Sequence, residues 1–277
     1  MRRAPKLSIE KGFSLFMKKK FALLGRGIDY SLSPEIHRMI YEHMGIDAEY
    51  NLLSAEPDRF AAMLSELFAL DGFNVTQPYK RRIVDFLDSI EGDWDAVNTV
   101  VQRGGKRIGF NTDEYGFRTH FEKFFAAEGH EVLVLGAGGL AETVVPYLVK
   151  SGAKVYVYNR TFKNAAGLAE KYGAEAIKEK SGTYAAVINC SSFGLKSGEN
   201  PAEGIDFGGT ILAYDANYVG AEFLKTADAA GVPFTTDGLE MLVYQAIRAD
   251  ELFFDTEIAD KDGLALKILE RLKKDKG

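Results

Sequence analysis

Short apolar runs and stretches of helical period alternate along this chain, with polar clusters where one gives way to the other. FALLG at 21–25, AEYNLLS at 48–54 and FNVT at 73–76 read as strands, with helices over 34–45 and 57–70 between them. A further helix is expected over 78–87 with Pro78 in its first turn, where a missing N–H leaves no ladder bond broken. Residues 96–102 and 106–112 flank Arg103-Gly104-Gly105 and read as a hairpin. After a helix over 113–129 the alternation resumes: strand 131–135, helix 143–149, strand 154–159, helix 161–173, strands at 185–189 and 210–215, helix 220–231 and strand 233–236. The tail from Leu239 to Lys274 is mostly helical, and neither an internal repeat nor a low-complexity segment interrupts the series.

The second series contains a nucleotide-binding βαβ unit. A strand ending at Leu135 runs into Gly136-Ala137-Gly138-Gly139, a helix follows, and a second strand ends in a base. Gly136 permits the tight bend and Gly138 lets backbone approach a pyrophosphate, whose charge is favoured by the N–H groups at the helix start. Ala141, where a third glycine often falls, is still small enough for close helix-to-strand packing. At the end of the second strand stand Asn159, Arg160, Thr161 and Lys163, with no acid. An NAD site would place a carboxylate there for the ribose hydroxyls. A guanidinium that forks onto a phosphate, with Lys163 one turn later, favours the 2′-phosphate of NADP.

Length and composition narrow the reading without changing it. A chain of 277 residues with 46% hydrophobic positions supports two domains. The net charge of −6 argues against a nucleic-acid or membrane surface, so any anion site is local. Cys190 stands alone, which excludes an intramolecular disulfide, and no apolar window reaches the length of a membrane span. The plain expectation is a soluble cytoplasmic protein. Residues 1–16 do not resemble a signal peptide, and Met17 looks like a second start, so they read as a loose extension. His37, His43, His120 and His130 are too scattered for a metal site, and His37 reads as a packing or hydrogen-bonding residue.

Polar clusters recur at the carboxyl ends of the expected strands, where open α/β sheets bind ligands. Assembled, they resemble the shikimate dehydrogenase family over nearly all of residues 21–257. Ser31-Leu32-Ser33-Pro34 with His37 resembles its SxSPxxH segment, Gly72 to Lys80 its GxNVTxPxK, and Ala96-Val97-Asn98-Thr99 its A-hydrophobic-NT. Asn111-Thr112-Asp113 resembles the NTD element, Asn189 to Gly194 the segment beside the nicotinamide, and Asp237 to Gln245 the closing DGxxMLVxQ. The resemblance implies an N-terminal α/β substrate domain over 1–115, a Rossmann-type NADP-binding domain over 116–237, and C-terminal helices over 238–277 that return to the substrate domain. It further implies that Ser31, Ser33, Asn74, Thr76, Lys80, Asn98, Asp113, Tyr218 and Gln245 line a pocket for a polyhydroxylated cyclohexene carboxylate, with Ser191 and Gly238 beside the cofactor.

The reaction implied is hydride transfer between NADPH and 3-dehydroshikimate, giving shikimate. Hydride arriving at a carbonyl carbon leaves an alkoxide, so a proton must reach that oxygen. Lys80, expected at a helix start with its pKa lowered by desolvation, is the candidate acid, and Asp113 the residue that orients it. Val219-Gly220 departs from the family's usual ending after Tyr218, and Glu114 stands where the family commonly has glycine. Competing readings are a quinate or shikimate paralogue that uses NAD, and a regulatory homologue that binds NADP without turnover. Methylene-tetrahydrofolate dehydrogenase has a related plan, but it would place a tyrosine at the position of Thr76. A small-molecule substrate and a monomer or homodimer complete the expectation.

Overall fold

The computed structural model describes residues 18–194, 199–219 and 222–274; the expected extension over 1–16, the second start at Met17 and Gly220 lie outside them. The first series forms one mixed sheet from β1 (Lys19–Gly25), β2 (Ala48–Ser54), β3 (Gly72–Val75), β4 (Ser89–Ile90), β5 (Thr99–Arg103) and β6 (Lys106–Phe110). Their order is β2-β1-β3-β5-β6-β4, with β1 parallel to β2 and β3, and β5 antiparallel to β3 and β6. Between β1 and β2 runs α1 (Ser33–Met44), entered through Pro34 and stopped by Gly45 in the left-handed region at φ 66°. Helix α2 (Phe60–Leu67) joins β2 to β3 and buries Phe60, Leu64 and Leu67.

After α3 (Asp113–Phe121) comes an all-parallel sheet of β7 (Glu131–Leu135), β8 (Lys154–Tyr158), β9 (Glu175–Ile177), β10 (Ala186–Asn189), β11 (Leu212–Asp215) and β12 (Phe234–Thr236). The order β12-β11-β10-β7-β8-β9 reverses direction at β7 and β10, and ligands of such sheets bind in the crevice at that switch point. Helices α4 (Ala141–Lys150), α5 (Phe162–Tyr172) and α6 (Glu222–Ala229) cover it. Val132 and Val134 of β7, Val155 and Val157 of β8 and Ile188 of β10 pack on Val144, Val145 and Leu148 of α4. That near-continuous apolar character is what a strand covered on both faces requires.

The chain then returns to the first sheet. Helices α7 (Leu239–Phe254) and α8 (Lys261–Lys274) place Val243, Tyr244, Ile247, Leu264 and Ile268 against Ile36, Met39 and Ile40 of α1. Helix α7 also crosses α3 so closely that a Cβ on Gly116 would stand 2.6 Å from the Met241 carbonyl oxygen, so glycine there is what admits the crossing.

One expected element is absent. Residues 78–87 do not form a helix; they run through turns with a single 3₁₀ segment, Val84–Phe86, and the Gln77–Pro78 peptide is cis. Tertiary bonds take the carbonyls a helix would use: Gln77 O accepts from Arg26 N at 3.1 Å and Lys80 O from Val97 N at 2.9 Å. Tyr79 and Ile83 are fully buried, and the Tyr79 hydroxyl donates to Ala55 O at 2.5 Å. Packing and strand pairing outweigh the local period here. Lys80 therefore stands on a braced loop and not at a helix start. The short strands β4 and β9 were not expected from the pattern.

Candidate active site

A cavity of about 570 Å³ opens between the two sheets, and Ser31, Ser33, Asn74, Thr76, Lys80, Asn98, Asp113, Tyr218, Gln245 and Gly238 all line it. Residues far apart in sequence meet there: Asn74 and Thr76 come from the end of β3, Asn98 from the residue before β5, Asp113 from the start of α3 and Gln245 from within α7. Lys80 Nζ donates to Asp113 Oδ2 at 2.5 Å, with the two side chains 13% and 10% exposed. Asp113 opens α3, where the positive end of the helix dipole favours its charge, and Asn98 Nδ2 donates to its second oxygen at 2.9 Å. Lysine and carboxylate are thus fixed from both sides.

The amides differ in what they can offer. Both N–H groups of Asn74 are taken, by Asn98 O at 3.1 Å and Thr99 Oγ1 at 2.9 Å, while its oxygen accepts from Tyr50 at 2.7 Å. What Asn74 retains is a lone pair, so it accepts from a ligand hydroxyl. Asn98 donates to Thr112 and Asp113 and accepts from Thr112 N, and it is almost fully buried. Its hydrogen-bonding capacity is filled by protein, which makes it a support for Asp113. Gln245, held by Leu242 O, keeps one N–H for the cavity. Ser31 Oγ and Ser33 Oγ are 3.1 Å apart. Burial raises the pKa of the neighbouring Tyr218 phenol, opposed by hydrogen bonds to the Leu32 backbone and Ser31.

A second cavity of about 630 Å³ lies over the carboxyl ends of β7, β8 and β10 and is walled by Gly136, Asn159, Arg160, Thr161 and Ser191 among others. Ser192 borders both cavities. Gly136 has φ 107°, and a Cβ there would press on Ser191 N at 3.0 Å, so only glycine makes this turn. The turn continues through Ala137, Gly138 and Gly139 to α4; nothing stands within 4 Å of a Cβ built on Gly138, and one on Gly139 would lie 3.4 Å from Lys80 Cδ. An open cradle with free amides at a helix start fits a dinucleotide pyrophosphate. It also brings the Lys80 stem alongside the glycine turn. Lys163 is exposed on α5 and is not among the walls, whereas Asn164 and Lys180 are.

Two sequence profiles match this chain, the shikimate dehydrogenase substrate binding domain over residues 23–100 and shikimate / quinate 5-dehydrogenase over 120–189. A shikimate dehydrogenase (NADP(+)) of Caldicellulosiruptor saccharolyticus is 34% identical over 260 residues, which cover 86% of this chain and 92% of that one. The chain belongs to the shikimate dehydrogenase family. Among solved structures of the shikimate dehydrogenase family, that from Aquifex aeolicus superposes with TM-score 0.82 at 30% identity, covering 91% of this chain and 97% of its own. The Thermus thermophilus shikimate 5-dehydrogenase in complex with NADP(H) and shikimate gives TM-score 0.78 at 30% identity, covering 91% and 99%.

Other residues have structural settings. His37 is buried, stacked on Tyr50 at 3.9 Å, with Nδ1 at 2.9 Å from both oxygens of Asp250. His120 is buried against Tyr214, and His43 and His130 are exposed. Cys190 lines the 570 Å³ cavity with its thiol pKa pushed up by burial, the setting of a packing residue. Among the described residues no group of His, Cys, Asp and Glu could hold a metal, and no helix is long and apolar enough to cross a membrane. Tyr50, Arg81, Asn164 and Lys180 were not legible as site residues. Only the position of Arg81 beside Lys80 gave a signal.

Proposed function

We propose that this chain interconverts 3-dehydroshikimate and shikimate with NADP(H), as an enzyme of aromatic amino-acid biosynthesis. The observation that carries the reading is the Lys80–Asp113 pair at the joint between a hydroxyl- and amide-lined cavity and a glycine-turn cleft. NADPH, when bound, supplies the hydride. Lys80 gives a proton to the oxygen that becomes the alcohol, and Asp113 keeps the amine aimed and accepts from a ring hydroxyl. Asn74 accepts from another hydroxyl, Gln245 donates, and the Ser31, Ser33 and Tyr218 hydroxyls offer donors to the ring carboxylate. Gly136 to Gly139 cradle the pyrophosphate, and Asn159, Arg160 and Thr161 face the adenosine end.

The substrate domain spans residues 1–115 with 238–277 returned to it, and 116–237 bind the cofactor; the packing of α7 and α8 on α1 supports that division. The protein works in the cytoplasm as a monomer or homodimer on a small molecule, without nucleic-acid or membrane partners, in keeping with its net charge of −6. The test is NADPH oxidation by purified protein with 3-dehydroshikimate, beside quinate and shikimate with NADP and NAD. Turnover with 3-dehydroshikimate and NADPH is expected to lead; faster oxidation of quinate with NAD selects the paralogue, and no turnover with any pair selects the regulatory homologue.

A further inference from the structure

Lys180 follows β9 in a stretch, Lys178-Glu179-Lys180-Ser181-Gly182, that has no motif. In the fold it is not an ordinary surface lysine. Strands β8 and β9 are parallel neighbours with Tyr158 paired to Ile177. Arg160 stands two residues beyond the first of these and Lys180 three beyond the second, so the chain delivers two cations past the carboxyl ends of adjacent strands. Lys180 walls the same cleft as Asn159, Arg160, Thr161 and Asn164, with its amine 5.4 Å from the centre of the Tyr158 ring. Its amine donates to Pro201 O at 3.0 Å, and among the described residues no carboxylate oxygen lies within 4.0 Å of it. Burial lowers its pKa, and Glu203 opposes that through space. A partly desolvated ammonium with no carboxylate at salt-bridge distance among the described residues, in a cleft that Glu199 and Glu203 also wall, is set to receive an anion.

We propose that Lys180 is the second cation on the 2′-phosphate of NADP, pairing with Arg160 in the place that sequence spacing assigned to Lys163. The assignment rests on the NADP reading above and identifies a residue that sets the preference for NADP over NAD. An ammonium contributes a point charge and suits a phosphate that the Arg160 fork binds from the other side.

The experiment is calorimetric binding of 2′,5′-ADP and 5′-ADP to the full chain and to its K180Q, K180R and K163Q variants. K180Q should bind 2′,5′-ADP roughly ten- to a hundredfold more weakly while 5′-ADP is unchanged, K180R should keep most of the affinity, and K163Q should match the wild type. Wild-type protein that prefers 2′,5′-ADP while K180Q prefers it by the same ratio overturns the role of Lys180 alone. Equal loss of both ligands in K180Q overturns it too, since that marks a structural effect. Wild-type protein that fails to distinguish the ligands overturns the NADP reading and this assignment with it.

Discussion

Arg81 grips Glu142 across the two lobes, its Nε donating to Oε2 at 2.8 Å and its terminal nitrogen pairing with Oε1. The carboxylate sits in the first turn of α4 with only 8% of its side chain exposed, and Arg81 is the residue after Lys80. The pair therefore ties the loop that carries the acid to the helix that follows the glycine turn. Either R81A or E142A should lower stability by about 1–3 kcal/mol in urea denaturation, and the reversed pair R81E/E142R should recover most of that loss. Strict additivity of the two single reversals would refute a direct bridge.

Replacement of Lys80 by Met keeps the aliphatic stem against Gly139 and removes the proposed proton donor. Turnover should fall by about 10²–10⁴-fold, while NADPH binding, followed by fluorescence, changes little. Near-normal kcat in K80M removes this lysine from proton transfer.

Tyr50 acts through Asn74. In Y50F the ring still stacks on His37, but the hydroxyl that fixes the Asn74 oxygen is gone. KM for the ring substrate should rise about fivefold with kcat within a factor of two, the signature of a lost binding contact. A fall in kcat with KM unchanged would contradict the positioning role.

Stability should carry a mark of Asp215. Burial raises its carboxyl from the ordinary 3.8 to about 6, opposed by hydrogen bonds from Asn217 and Asn189. The folded protein holds this proton more tightly than the unfolded chain does. The contribution is thus full below about pH 3.8 and is lost as pH rises through about 6. Asp215→Asn keeps the accepting oxygen without the charge, so its stability relative to wild type should grow by on the order of 2 kcal/mol from pH 4 to pH 7. A pH-independent difference between the two proteins would rule the shift out.

Much of this architecture was legible because its signals are local. The alternation that marks β1 to β3 and β7 to β8, and the glycine turn between β7 and α4, depend on residues close in sequence. Residues 78–87 misled because their period is helical while the carbonyls of Gln77, just before them, and Lys80 are claimed by Arg26 and Val97, partners that no window of the sequence contains. Lys180 was hidden for a related reason. Nothing near it marks a cation site until β9 is laid beside β8. Lys163, close to Arg160 in sequence, is the second residue of α5 and lies exposed outside the cleft walls, while Asn164, about 100° further round the helix, is one of them. Asn98 shows a further limit, since the family resemblance places it in the cavity but only its hydrogen bonds reveal that its amide is already occupied.

The return of α7 to the first sheet has a consequence for biosynthesis of the protein itself. Ribosomes deliver the β1–β6 layer first, yet the apolar stripe of Ile36, Met39 and Ile40 stays bare until Val243 and Ile247 emerge, after the whole cofactor lobe. During that interval the nascent first lobe is sticky and has no Gln245 in its cavity. Competence arrives only with the last two helices, so a stalled or clipped chain can present a finished glycine turn and still have no working pocket.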